Sequence, residues 1–102
     1  MKEMERGFIL VRHTNKYWEW ANRVGDSDIE FTEEDNLEPN VYLIEEDFLE
    51  IEPLIEKHFK SIFALELEMV TENESDWPEK ITMELFNEWF ILDWGSSVID
   101  LI

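Results

Sequence analysis

His13 and His58, together with 26 carboxylates, are the side chains of this 102-residue chain best suited to carry a proton or a metal ion. Acid–base chemistry needs such a group within hydrogen-bond reach of a reacting atom. His13 closes the apolar stretch "GFILVRH" beside Arg12 and Thr14, at the kind of strand end whose loops carry function. His58 falls on the apolar side of a helical pattern, where a histidine held by a backbone or carboxylate partner is the expected state. Without cysteine, a nucleophile would have to be a hydroxyl or a carboxylate. Of Ser27, Ser61, Ser75, Ser96 and Ser97, none stands in a G-x-S-x-G elbow. A pair of acids at glycosidase spacing, about 5–10 Å, carries no information in a chain this rich in acids.

Metal and phosphate chemistry is no better supplied. "DSDIEFTEEDNL" opens at Asp26 with carboxylates at the first, third and fifth positions of a calcium loop. Its sixth position is Phe31 where the turn needs glycine, and its twelfth is Leu37 where a bidentate Glu belongs, so the motif fails. Gly7, Gly25 and Gly95 are too scattered to cradle a phosphate. No metal site and no cofactor is therefore expected.

The aromatics of "KYWEWAN" (16–22) remain. On a helix Tyr17, Trp20, Ala21 and Val24 share one side, while Trp18 stands about 100° from Tyr17. That spacing assigns Tyr17 and Trp20 to the core and leaves Trp18 at the margin. An exposed Trp is a typical anchor for a protein partner. Trp77, before Pro78, and Trp94, before Gly95, are further candidates.

Charge sets what such an anchor would meet. Eight Lys and Arg against 26 Asp and Glu give a net charge of −18. Nucleic acids and anionic membranes are drawn to Lys and Arg, so neither is expected as a partner. A basic protein surface would be attracted and steered. The densest acids are Asp26, Asp28, Glu30, Glu33, Glu34 and Asp35, which with Trp18 and Trp77 make the candidate partner-binding set. Crowded carboxylates also raise one another's pKa, so stability should rise as pH falls from about 7 toward about 5.

The elements that must position these residues follow from periodicity. "GFILVRH" (7–13) is short and rich in Ile and Val, a strand pattern. "TNKYWEWANRVG" reads as a helix with Thr14 or Asn15 as cap, Arg23 in its last turn and Gly25 after it. An acidic connection over 26–40 allows a short edge strand at Ile29 and Phe31. "VYLIEE" (41–46) is a second strand. Pro53 suits the first turn of the longest helix, whose apolar side holds Leu54, Ile55, His58, Phe59, Ile62, Phe63, Leu65 and Met69. A loop over 71–78 precedes a helix capped by Thr82. "FILDWGSSVIDLI" is β-like, as a hairpin at Gly95-Ser96 or as one strand bent at the glycine. The expected fold is one α+β domain over residues 1–102. Its small, mostly antiparallel sheet, of about three to five strands, carries two or three helices on one face.

Size, acidity and the missing catalytic motif resemble those of bacterial immunity proteins, nucleic-acid mimics and secretion chaperones. This likeness is one of type and rests on no shared motif. The function expected is docking on a basic partner without catalysis, in a reducing, cytoplasmic setting. The alternative is a small-ligand or enzymatic site near Arg12, His13 and Trp18, with acids such as Asp93 nearby.

Overall fold

A computed structural model describes residues 1–25 and 38–102. Its elements in chain order are β1 (Lys2–Met4), β2 (Gly7–His13), α1 (Asn15–Val24), β3 (Asn40–Ile44), α2 (Glu52–Glu68), α3 (Met83–Trp89), β4 (Phe90–Gly95) and β5 (Val98–Asp100). A 3₁₀ turn, Glu74–Asp76, lies between α2 and α3. The fold is α+β, as the patterning implies. The acids of 26–37 and the edge strand expected at Ile29 and Phe31 lie outside the described residues.

β2 is the middle strand of an antiparallel sheet in the order β3-β2-β4, and β1 pairs with β5 in a second, two-stranded sheet. β1 escapes sequence reading because Lys2, Glu3 and Met4 are all exposed and follow no buried alternation. Phe8 pairs with Gly95 and Met4 with Val98, so β4 and β5 follow one line interrupted at 96–97. β4 and β5 do not pair with each other, so the hairpin is not formed; the end makes two strands, in different sheets, with the break just after Gly95. Although β2 looks apolar on both faces, its burial alternates: Gly7, Ile9, Val11 and His13 are buried, and Phe8, Leu10 and Arg12 only half so. Adjacent strand residues point to opposite faces, and the helices cover only the face of Ile9 and Val11.

That covered face meets Tyr17, Trp20 and Ala21 of α1, Phe59, Ile62, Phe63 and Leu67 of α2, and Phe86 and Trp89 of α3. Aromatic rings dominate the junction. Phe63 and Phe90 meet edge to face with centroids 5.1 Å apart, and Trp20 lies 5.6 Å from Trp89. Pairs of this geometry add about 0.5–1.5 kcal/mol beyond the apolar area they bury.

The helix ends show which signals are used. Thr82 accepts a hydrogen bond from Leu85 N at 3.1 Å, so the expected N-cap of α3 forms. Thr14 stands at the N-cap of α1 but makes no capping bond. Its hydroxyl donates instead to the Glu88 carbonyl at 2.7 Å and its N–H to the Trp89 carbonyl at 2.9 Å, tying the start of α1 to the end of α3. Gly25 follows α1 in extended backbone, φ −72°. A Cβ there would lie 2.8 Å from the Ala21 carbonyl oxygen, so close approach and not left-handed backbone calls for glycine.

Candidate functional site

The polar centre of the molecule is Glu66. Phe59, Ile62, Phe63, Glu66 and Leu67 are the buried residues of α2 and recur at i, i+3, i+4, i+7 and i+8. The carboxylate therefore sits inside the apolar stripe and, with an exposure of 0 %, out of contact with water. A buried charge is tolerated only when paired or hydrogen-bonded. Here two strands answer it. His13 Nε2, at the end of β2, lies in a very short contact with Oε1, and the Tyr42 hydroxyl of β3 donates, equally short, to Oε2. Asn40 Nδ2, at the start of β3, donates at 2.8 and 3.1 Å. From α1, the Tyr17 hydroxyl donates to the Glu66 main-chain carbonyl at 2.6 Å.

Electrostatics agree with these donor roles. Burial first, and then the charge of Glu66, pushes the Tyr17 phenol well above its usual value. Tyr42 is raised in the same direction by burial, by its bond to the Glu66 carboxylate and by that group's charge. Both phenols therefore stay protonated and able to donate across the physiological range.

Imidazole, carboxylate and phenol are the components of an acid–base site. Their arrangement here makes a closed cross-link: Glu66 has its oxygens occupied, and the His13 ring is stacked within 4.4 Å of Tyr17, 4.9 Å of Trp18 and 5.8 Å of Phe90. Fully satisfied polar networks of this kind fix one packing of a core.

A second pairing lies nearer the surface. His58 Nε2 meets Glu45 Oε1 at 2.7 Å and Lys57 Nζ donates to Glu45 Oε2 at 3.0 Å. The His58 bond, and after it that of Lys57, draws the Glu45 carboxyl down to about 2. His58 is thus a carboxylate-held histidine, as its place on the helix implies.

Trp18, expected as a candidate exposed anchor, is buried at 9 % exposure beside His13. The first turn of α1 abuts the end of β2, so both sides of "YW" meet the core. Trp77 is partly buried, with its indole N–H on the Thr71 carbonyl at 3.0 Å. The exposed tryptophan among the described residues is Trp94. Asp26, Asp28, Glu30, Glu33, Glu34 and Asp35 lie outside the described residues.

Arg12, His13 and Trp18 do not form one site. Consecutive strand residues alternate, so His13 joins Trp18 in the core while Arg12 lies on the opposite face, across from Ile91. Its Nη1 is shielded from solvent and has no hydrogen-bond partner among the described residues.

That outer face has an apolar surface of its own. Register places Leu43, Phe8 and Gly95 in one row, Val41, Leu10 and Asp93 in the next, and Arg12 with Ile91 in the third. Val41, Leu43 and Ile91 are 55 %, 47 % and 54 % exposed. Within "VYLI", Tyr42 and Ile44 lie inward and Val41 and Leu43 outward, an alternation seen in the burial and not in residue type.

Among the described residues, no three His, Asp or Glu side chains are grouped to hold a metal ion, and no helix is long and apolar enough to cross a membrane. Compared with known proteins, the chain matches no family model, no curated protein and no solved structure.

Proposed function

We propose that this chain is a non-catalytic interaction protein that binds a basic protein partner, in an immunity-like, mimic-like or chaperone-like role within a reducing, cytoplasmic setting. The observation that carries this reading is the unneutralised acidity of the surface. Between described residues, Lys and carboxylate pair only at Lys57–Glu45 and, at a marginal 4.0 Å, at Lys16–Glu88. Elsewhere acids face acids: loss of hydration, then the charges of Asp47, Glu5 and Glu3, raises the Glu46 carboxyl above its usual value. A basic surface arriving there relieves that repulsion, which gives both steering and net attraction.

The closed state of the Glu66 network supports the non-catalytic part of the reading. Its imidazole and carboxylate are engaged with each other and shielded from any substrate. The apolar sheet face supplies contact area that charge alone lacks.

Affinity capture on the immobilised chain at about 50 mM salt should retain a basic protein and release it by roughly 0.5 M, where the Debye length shrinks to a few ångströms. Calorimetry with that purified protein should show the same salt dependence. If no basic protein is held at low ionic strength, the reading fails.

A further inference from the structure

We propose that the outer face of the β3-β2-β4 sheet is the docking surface and that its occupant is a basic amphipathic helix of the partner. This rests on the interaction reading above and names its site.

Dimensions favour one helix. Three strands spaced about 4.8 Å apart present a face about 10 Å across, the diameter of a single α-helix with its side chains. The seven residues of β2 run about 23 Å along it, enough for about four helical turns. The surface is smooth where a helix would rest. A Cβ on Gly95 would come within 2.5 Å of Phe8 Cε1, so the Phe8 ring occupies the space over the glycine. Phe8, Leu10, Val41 and Leu43 then form one apolar patch, and Ile91 lies beyond it in the row of Arg12, next to Asp93, an arrangement that a helix's i, i+3, i+4, i+7 stripe with flanking charges would match.

Charge selects a basic helix. On the face itself Asp93, opposite Leu10, is offset by Arg12, opposite Ile91, so the sign is set by the acids around the face and the chain's net charge of −18. Where the sheet ends at Gly7 and Ile44, the charges of Glu3, Glu5 and Asp47 bear on Glu46. Lys and Arg flanking an apolar stripe would reach these carboxylates while the stripe covers Val41, Leu43 and Ile91. A second copy of this chain would bring its own acids to the same place, which disfavours self-pairing there.

The test uses a synthetic 14-residue Leu/Lys amphipathic peptide and a peptide of the same composition in scrambled order, titrated into the full ¹⁵N-labelled chain. The amphipathic peptide should move the amide signals of β2, β3 and β4 most. The triple variant Val41→Thr, Leu43→Thr, Ile91→Thr keeps strand-forming side chains and should weaken binding about tenfold or more. Ile99→Thr, at an exposed apolar position on β5 in the other sheet, is the matched control and should leave affinity within about twofold.

Equal binding of the scrambled peptide overturns the inference, because the face then does not read a helix. Unchanged binding by the triple variant, with signals moving elsewhere, overturns it too while sparing the acidic-partner reading. No binding of either peptide at low salt takes both down. A dimer of the free chain that the triple variant dissociates would assign the face to a second copy, against the proposal.

Discussion

Replacing Glu66 by alanine leaves three donors without their acceptor: His13 Nε2, the Tyr42 hydroxyl and Asn40 Nδ2. His13 is buried and the other two are partly so, which leaves the imidazole poorly placed to recruit water. Removing one member of a buried charged network costs about 3–5 kcal/mol. At about 4 °C per kcal/mol for a chain this short, the unfolding midpoint should fall by at least about 12 °C. Glu66→Gln keeps the shape but turns one acceptor into a donor facing other donors, so about 1–3 kcal/mol is expected. Tyr42→Phe removes one bond to a charged group, about 1.5–3 kcal/mol. Combined with Glu66→Gln it should cost less than the sum, with a coupling of about 0.5–3 kcal/mol. Urea unfolding followed by far-ultraviolet circular dichroism measures each value. A loss below about 1 kcal/mol for Glu66→Ala, the scale of an ordinary substitution, would show that the carboxylate is not sequestered and would refute the cross-link.

Three other outcomes follow from the same geometry. Glu45 has its pKa drawn from 4.5 to about 2 by His58 and Lys57, so the stability it contributes is present above about pH 4.5 and is lost as pH falls toward 2. Glu45→Gln should flatten the urea midpoint over that window, and an unchanged profile would count against the pairing. Glu46 is shifted the other way, which makes its charged form a burden at neutral pH that protonation or salt relieves. Glu46→Gln should therefore raise the melting temperature at pH 7 in low salt, with the gain vanishing near 0.5 M salt. Gly7→Ala would set a Cβ 2.7 Å from the Glu45 carbonyl oxygen and 2.9 Å from that of Gly95, both main chain, and should cost about 1–3 kcal/mol in chemical denaturation.

Elements whose signal is local were legible in the sequence. Gly7–His13, the Thr82 cap and the helix beginning beside Pro53 declare themselves through β-branching, a side-chain acceptor and a fixed φ. Helical spacing leaves Trp18 at the margin because it describes one cylinder and not the strand end beside it, which buries both sides of the first turn. Glu66 was legible in position: it occupies i+7 of the stripe that begins at Phe59. Weighting by residue type hid it and favoured Leu65 and Met69, which the structure leaves exposed. Its three donors come from 24 to 53 residues away, and no periodicity links them to it. The pH expectation divides in the same way. Acid crowding predicts the direction at Glu46, whereas Glu45 runs opposite because His58 and Lys57, on another element, happen to face it.

The buried acid also bears on the outer surface of the sheet. A strand has a period of two, so a slip of one residue in β3 against β2 would exchange its faces. Such a slip would turn Tyr42 outward and bring Val41 or Leu43, which have no donor, toward Glu66. The carboxylate would then lose its bonds from both Tyr42 and Asn40 in a site that water does not reach, a penalty of a few kcal/mol that a shift among apolar pairs would not otherwise incur. The apolar content of "VYLI" cannot choose between the registers, since Val, Tyr, Leu and Ile all suit a covered face. Glu66 can. By holding Asn40 and Tyr42 inward it holds Val41 and Leu43 outward, so one buried carboxylate determines which apolar side chains lie on the outer face of the sheet.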